Sequence, residues 1–471
     1  MKFIVNNRLM LVFFTPFFLG CLSVLSFQPF NLTFVNFFTL PTFFYLIIYI
    51  KKKSKSFYRK KPYKKNLFFF GTAFGFGFYL SGIHWITNSL TFDENFKILI
   101  PFGLILIPLF LSLFFSITIV LIGPLLNLNL QSIILFSASL AFSDYIRNFV
   151  LTGFPWNFWA YSFSWSTEII QILNNLGLFA TNLLIITIFM LPAFIFMDFR
   201  FVQKTYMILI LILILLISYI YGNHSINLNN KNLKNIENKI NIKVISPNFK
   251  LEYGLSKADV ENRLKKLIKY SDPVKDEKTL YVWPEGVFSG YSFEEIIYLK
   301  EIFFNNFTKD HLILFGINRS DTKKKGFYNS LVIVDNRMNI IQEYNKQKLV
   351  PFGEFLPFEK FLNRVGIKKI TEGYSSFLSG SEQKNLVINN LNILPLICYE
   401  VIFTKFIQRS DPKTNLIINI SEDGWFGKSI GPKQHFIHSK FRAIENGKYV
   451  IRSSNNGMAA IINPLGYIEN K

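Results

Sequence analysis

Apolar residues dominate the chain as far as about residue 222; beyond it, short apolar runs alternate with polar ones. A helix needs roughly 20 mostly apolar residues to cross a hydrocarbon core. Seven stretches approach that length: 9–27, 31–50, 66–86, 97–123, 131–149, 168–196 and 205–222. The pattern predicts a helical membrane domain over 1–222 with about seven spans. The first stretch has the size of a secretory leader, but no small-x-small cleavage site follows it and more spans come after. Residues 223–239 are polar and Asn-rich and read as a linker. The segment Leu151–Trp159 is aromatic and broken by Pro155. It reads equally as an anchor at the membrane–water boundary or as the lining of a lipid entry site. Asp144 and Arg147 stand three residues apart near the end of the fifth stretch, a spacing that lets them pair.

From residue 240 the pattern is that of a layered α/β domain, 240–471. Strands are predicted at Ile242–Ile245, Thr279–Trp283, Leu312–Gly316, Leu331–Val334, Leu391–Ile397, Leu416–Ile420 and Val450–Ser453. Helices are predicted over 255–270, 292–307 and 432–446. Several strands are continuously apolar, as when both sheet faces are buried.

Composition and charge sharpen this picture. Half of the 471 residues are hydrophobic and 55 are Phe, unlike an average soluble domain. The net charge is +21, and nine Lys and Arg fall within Lys51–Lys65. Beside spans, such a run reads as a cytoplasmic loop at a membrane surface rather than a nucleic-acid site. With Lys2, Arg8, Arg200 and Lys204 it puts the N-terminus in the cytoplasm. An odd number of spans then carries the α/β domain to the opposite side, together with Thr87–Lys97 and 150–167.

Candidate chemistry gathers at strand ends in that domain. Cys398 closes the apolar run Leu391–Ile397. The other cysteine, Cys21, lies in the first apolar stretch, so Cys398 has no evident disulfide partner and is a candidate nucleophile. A thiol nucleophile needs a base and groups to hold the oxyanion formed on attack. Glu285 follows an apolar run in Trp283-Pro284-Glu285, and Lys346 and Glu354 follow Tyr344-Asn345. The five His residues show no metal-ligand spacing, and His435 reads as structural.

Trp283-Pro284-Glu285, then Lys346-x-x-Leu349-Val350-Pro351-Phe352-Gly353-Glu354-Phe355-x-Pro357, then Cys398-Tyr399-Glu400, are similar to the Glu-Lys-Cys motifs of the nitrilase superfamily. Three further phrases narrow the match: Asp423-Gly424-Trp425-Phe426-Gly427, Gly431-Pro432-x-Gln434-His435 and Arg452-Ser453-Ser454-Asn455-Asn456-Gly457. With the apolar N-terminal half, they make nearly the whole chain resemble the apolipoprotein N-acyltransferase family, the membrane-embedded branch of that superfamily. The resemblance implies an αββα-type sandwich outside the cytoplasm of a bacterial inner membrane, on the periplasmic side. Cys398 would take an acyl chain from a phospholipid, typically phosphatidylethanolamine, as a thioester. It would pass the chain to the α-amine of a diacylglyceryl-cysteine on an apolipoprotein. Glu285 matches the general base and Lys346 the lysine that steadies the tetrahedral intermediate; the family's spacing selects it over Lys348. Glu354, Tyr399 and Glu400 match supporting positions, and Trp425 an aromatic of the Trp-Phe-Gly loop. The resemblance calls for no cofactor, metal or nucleic acid. Apolar loops Val350–Phe358 and Ile370–Phe377 are candidates to shield a thioester from water.

The chain departs from the family in three places. Glu422 stands where the family usually carries Asn, and no role follows for it. The aromatic after the first strand is replaced or shifted, with Tyr253 the nearest candidate for substrate contact. The family continues past the position of Lys471 with a strand region and a last span. Two other readings stay open: a membrane-tethered amidase or nitrilase-type hydrolase using the same three groups, and a transporter or scaffold with an inert outer domain. The narrower phrases weigh against the first, and the scarcity of charge within the spans against the second.

Overall fold

The computed structural model describes residues 7–55, 63–233, 241–252, 254–357, 376–381, 384–388, 390–408 and 411–470. The chain forms two compact units, Met1–Leu228 and Asn229–Lys471.

All seven apolar stretches are helical in the first unit. Among the described residues five helices are long and apolar enough to cross a membrane: Thr33–Lys53, Tyr63–Thr91, Glu94–Ile122, Ile169–Phe196 and Phe201–Lys231. The first stretch forms a shorter apolar helix, Met10–Val24. The fifth forms Leu130–Arg147, which carries Asp144 and Arg147. Between helices in lipid, close packing replaces the hydrophobic drive, so small residues mark the contacts. A Cβ on Gly20 would come within 2.1 Å of the Phe74 carbonyl oxygen, and one on Gly75 within 2.7 Å of Ser112 Cα. The helix Tyr63–Ile83 therefore meets a neighbour backbone-to-backbone on each side. The Lys51 ammonium donates to the carbonyls of Pro124 (3.3 Å) and Leu126 and to Asn127 Oδ1 (3.1 Å). That contact brings the start of the basic run and the 124–127 turn to one end of the unit, as an even number of crossings between them requires.

Asp144 and Arg147 pair at 2.8 Å, both buried. Arg147 also donates to the Trp156 carbonyl (2.8 Å), and Asn182 bridges Asp144 Oδ2 (2.9 Å) to the Ala160 N–H (3.1 Å). A charged pair fixed by such donors is tolerated away from water. It pins the aromatic segment inward. Trp156, Phe158 and Trp159 are buried in the helical unit, with Trp159 stacked on Phe78. Neither the anchor nor the lipid-lining reading of these rings describes that packing. The stretch read as a linker is also different: the helix Phe201–Leu233 runs through residues 223–233.

In the second unit, β1 (Asn241–Val244), β2 (Thr279–Val282), β3 (His311–Asp321), β4 (Gly326–Val334) and β5 (Ile340–Asn345) form one sheet in that order. The second sheet runs β11 (Ile468–Asn470), β10 (Ala460–Ile462), β9 (Tyr449–Asn455), β8 (Leu416–Glu422), β7 (Leu391–Ile397), β6 (Leu386–Ile388). β1–β3 are mutually parallel, as are β7–β9; the remaining pairs are antiparallel. Alternation along β2 explains its continuous apolarity. Leu280 and Val282 face the second sheet, packing with Ile393, Ile397, Ile418 and Ile420. Tyr281 and Trp283 face the other way, onto Val260, Leu264 and Phe303 of the outer helices. The helix Gly431–Asn446 lies beyond the second sheet and buries Phe441 and Ile444. The result is the expected helix–sheet–sheet–helix sandwich.

Candidate active site

Glu285, Lys346 and Cys398 stand just past the C-terminal ends of β2, β5 and β7. Glu285 can approach because Gly316 on β3 has no side chain: a Cβ there would lie 2.9 Å from Glu285 Cα. One oxygen of Glu285 accepts from Asn329 Nδ2 (2.7 Å), the other from the Glu422 N–H (3.0 Å). Lys346 Nζ sits 2.8 Å from Glu354 Oε1 and 3.8 Å from Glu285 Oε1, almost wholly buried. Glu354 is held in turn by Asn329 Nδ2 (2.8 Å) and the Val350 N–H (2.8 Å). The structure thus brings together the three residues picked from the motifs, with Glu354 among them.

Cys398 begins the turn Cys398–Ile402 with φ of +48°. The left-handed region costs a side-chain-bearing residue about 1–2 kcal/mol, so the surroundings must hold it there. Glu400 does much of that holding. Its buried carboxylate accepts from the N–H of Ile397 (2.9 Å), Gln347 (2.8 Å) and Lys348 (3.1 Å) and from the Tyr344 hydroxyl (2.9 Å). One side chain thereby ties the cysteine turn to the lysine segment. Tyr399 packs edge-on to Phe403.

Electrostatics assign a resting state. Burial raises the Glu285 carboxyl above its ordinary range, with Lys346 opposing and Glu354 adding. Burial works against the Lys346 ammonium, but Glu354 and Glu285 override it and keep it charged. Burial and the Glu285 charge push the Cys398 thiol up, against Lys346. The site therefore rests as a neutral thiol beside a base of raised affinity for protons and a fixed cation.

Several groups at the site escaped the sequence reading. Asn329 is the shared donor between two carboxylates, and a single Asn within an apolar strand gives little signal. Behind the cysteine lies a buried cluster drawn from the three narrower phrases. Asp423 pairs with Arg452 (2.8 Å) and with His435 Nδ1 (2.9 Å), and accepts from Ser421 (2.7 Å). Burial alone would raise the Asp423 carboxyl, but Arg452 and His435 hold it below the usual range. Arg452 also meets Asn419, whose amide reaches the Cys398 carbonyl at 3.4 Å. Glu422 is buried beside Glu285: it accepts from the Gly424 N–H (2.8 Å), Asn455 (2.6 Å) and Asn456 (3.2 Å). Burial pushes its carboxyl up to about 8 despite those donors. Trp425 lies partly exposed on the turn Asp423–Phe426, one turn from Glu422. Phe352, at the tip of the Val350–Phe358 loop, is exposed, while Leu349 and Leu356 are buried. Tyr253, Phe358 and residues 370–375 of the Ile370–Phe377 loop lie outside the described residues.

Comparison with known proteins covers both units. Residues 19–191 match the family model described as apolipoprotein N-acyltransferase N-terminal domain, and residues 248–469 the model for carbon-nitrogen hydrolase. An apolipoprotein N-acyltransferase of Rickettsia prowazekii is 33% identical over 459 residues, covering 96% of this chain and 88% of the relative. One of Rhodopseudomonas palustris is 30% identical over 465 residues, covering 95% of this chain and 85% of the relative.

Proposed function

Because the chain belongs to the apolipoprotein N-acyltransferase family, acting in a membrane on an apolipoprotein, we propose a ping-pong acyl transfer through Cys398. Glu285 takes the Sγ proton as sulfur attacks the sn-1 ester carbonyl of a phospholipid such as phosphatidylethanolamine. Lys346 faces the oxyanion that develops. The intermediate collapses, the ester C–O bond breaks, and Glu285 returns the proton to the departing lysophospholipid, leaving an acyl thioester. The α-amine of the diacylglyceryl-cysteine then attacks that thioester. Glu285 accepts a proton from the amine, the C–S bond breaks, and the proton passes to Sγ. Glu354 and Asn329 set the position of the base and cation; Glu400 sets that of the sulfur turn.

The observation that carries this reading is the buried Lys346 ammonium between Glu354 and Glu285, acting on the Cys398 thiol. A thiol kept neutral until substrate arrives needs the base, and a charge on the carbonyl oxygen needs the cation. We further infer seven spans in a bacterial inner membrane, with the N-terminus in the cytoplasm and residues 240–471 on the periplasmic side. The basic run 51–65 and its Lys51 link to the 124–127 turn support that orientation.

The test is the intact mass of the purified full-length protein after incubation with phosphatidylethanolamine micelles. One added acyl chain is expected, absent in Cys398→Ala and discharged by a diacylglyceryl-cysteine peptide. Discharge to water at the same rate with or without the peptide favours the hydrolase reading. No adduct on folded protein refutes the acyl-enzyme.

A further inference from the structure

Two residues past Lys346, Lys348 has a different setting. Its N–H donates to Glu400 Oε1 (3.1 Å), which fixes it against the turn that follows Cys398. Its ammonium lies over the Phe403 ring, 4.9 Å from the centroid, and Phe403 meets Tyr399 edge-on at 5.0 Å. The side chain is half-buried. Among the described residues no carboxylate lies within ion-pairing distance of it or of Lys405. Burial and then the Lys405 charge lower its affinity for a proton. An aromatic face compensates a buried cation only in part. Lys405 lies two residues past Phe403 on the helix Thr404–Gln408; two neighbouring cations without a counter-ion repel each other, and an anion there would relieve both.

The reacting centre cannot supply that attraction itself. Lys346 is already shared between Glu354 and Glu285, and Glu400 adds a third carboxyl. An approaching anion meets more acid than base. The acyl donor of the mechanism above is an anion near its reactive end. Its phosphodiester sits on the third glycerol carbon and the ester that breaks on the first, so the phosphate must settle a few bonds from Sγ.

We propose that Lys348, assisted by Lys405, forms a subsite for the phosphodiester of the donor lipid at the Phe403 end of the cysteine turn. This rests on the phospholipid-to-cysteine reading above. It makes the phosphate a determinant of donor choice, whatever group lies beyond it.

The experiment compares two donors with the same acyl chains, phosphatidylethanolamine and diacylglycerol, on full-length protein in mixed micelles. Acyl-enzyme formation is followed by quenched intact mass, and the kcat/KM ratio between donors is the readout. Lys348→Gln should lower that ratio about tenfold, the size of one charge-assisted hydrogen bond. Lys405→Gln, at an exposed position, should lower it less, and Lys348→Arg should largely keep it. An unchanged ratio in Lys348→Gln, or equal loss on both donors, overturns the assignment. Free inorganic phosphate carries the same chemistry: if it depressed both donors alike in the wild type, the site would be a general anion site and the assignment fails. Absence of any wild-type adduct from either donor overturns the acyl-enzyme reading, and this one with it.

Discussion

Replacing Asn329 with leucine keeps the bulk of the side chain and removes a donor that two carboxylates share. The amide nitrogen lies 2.7 Å from Glu285 Oε1 and 2.8 Å from Glu354 Oε1. Without it, the two oxygens face each other with only Lys346 between them, and Glu285 retains the Glu422 N–H as its remaining hydrogen bond. A hydrogen bond to a charged group contributes about 1.5–3 kcal/mol. If that loss falls on the placement of the base in the transition state, acylation of Cys398 slows by about 10- to 150-fold. The pH dependence carries the sign. Burial already raises the Glu285 carboxyl, and Asn329 is among the groups that lower it. Removing the amide moves the carboxyl further up. In the proposed mechanism Glu285 acts as a base and must be ionised, so the acid limb of the rate profile should move to higher pH. The assay is single-turnover acylation from phosphatidylethanolamine, quenched across pH and read by mass, with thermal unfolding recorded beside it. A well-folded variant whose rate stays within about twofold of wild type, with an unmoved acid limb, would show that Asn329 does not position the base.

Three further outcomes are expected. Gly316→Ala places a methyl 2.9 Å from Glu285 Cα and 3.0 Å from Ile420 Cδ1; overpacking of this kind costs about 1–3 kcal/mol, and both melting temperature and acylation rate should drop. A drop in neither would mean the β3–Glu285 contact yields freely. Glu422 has its carboxyl pushed up to about 8 from an ordinary 4.5, chiefly by burial. A raised acid stabilises the fold fully below its unfolded value and loses that stabilisation as pH climbs through the folded value. Wild type should therefore lose thermal stability between about pH 4.5 and 8, and Glu422→Gln should lose less; an equally steep decline in the variant contradicts the assignment. Asp144→Ala leaves Arg147 buried without its 2.8 Å partner, and breaking such a pair costs about 3–5 kcal/mol. Unfolding in detergent should shift down markedly, whereas Asp144→Asn should shift less.

The parallel strands were readable because burial on both faces makes them continuously apolar, as Leu280, Tyr281, Val282 and Trp283 show by packing alternately onto sheet and helices. β5 was not, since Ile340–Asn345 mixes polar and apolar residues at a sheet edge, so Lys346 was located by its motif rather than by its strand. β6, β10 and β11 are three residues each, too short for a period to register. Cys398 and Glu285 were visible because each follows an apolar run. Their supports were not: Asn329 and Arg452 act through contacts between segments distant in sequence, which no local pattern encodes. In the helical unit the Asp144–Arg147 pairing followed from spacing. The inward turn of Trp156 and Trp159 did not, because it depends on Arg147 reaching a backbone carbonyl nine residues on.

The raised, buried thiol of Cys398 bears on how long the enzyme lasts. Peroxides and disulfides react with thiolates, and their attack scales with thiolate content and access. Cys398, a residue 9% exposed and held as a thiol, offers little of either. The chain's other cysteine, Cys21, sits in the apolar helix Met10–Val24 of the other unit. In the proposed mechanism this thiol is armed only when an ester is seated and Glu285 can move its proton, so it can stand idle in oxidising surroundings without being consumed.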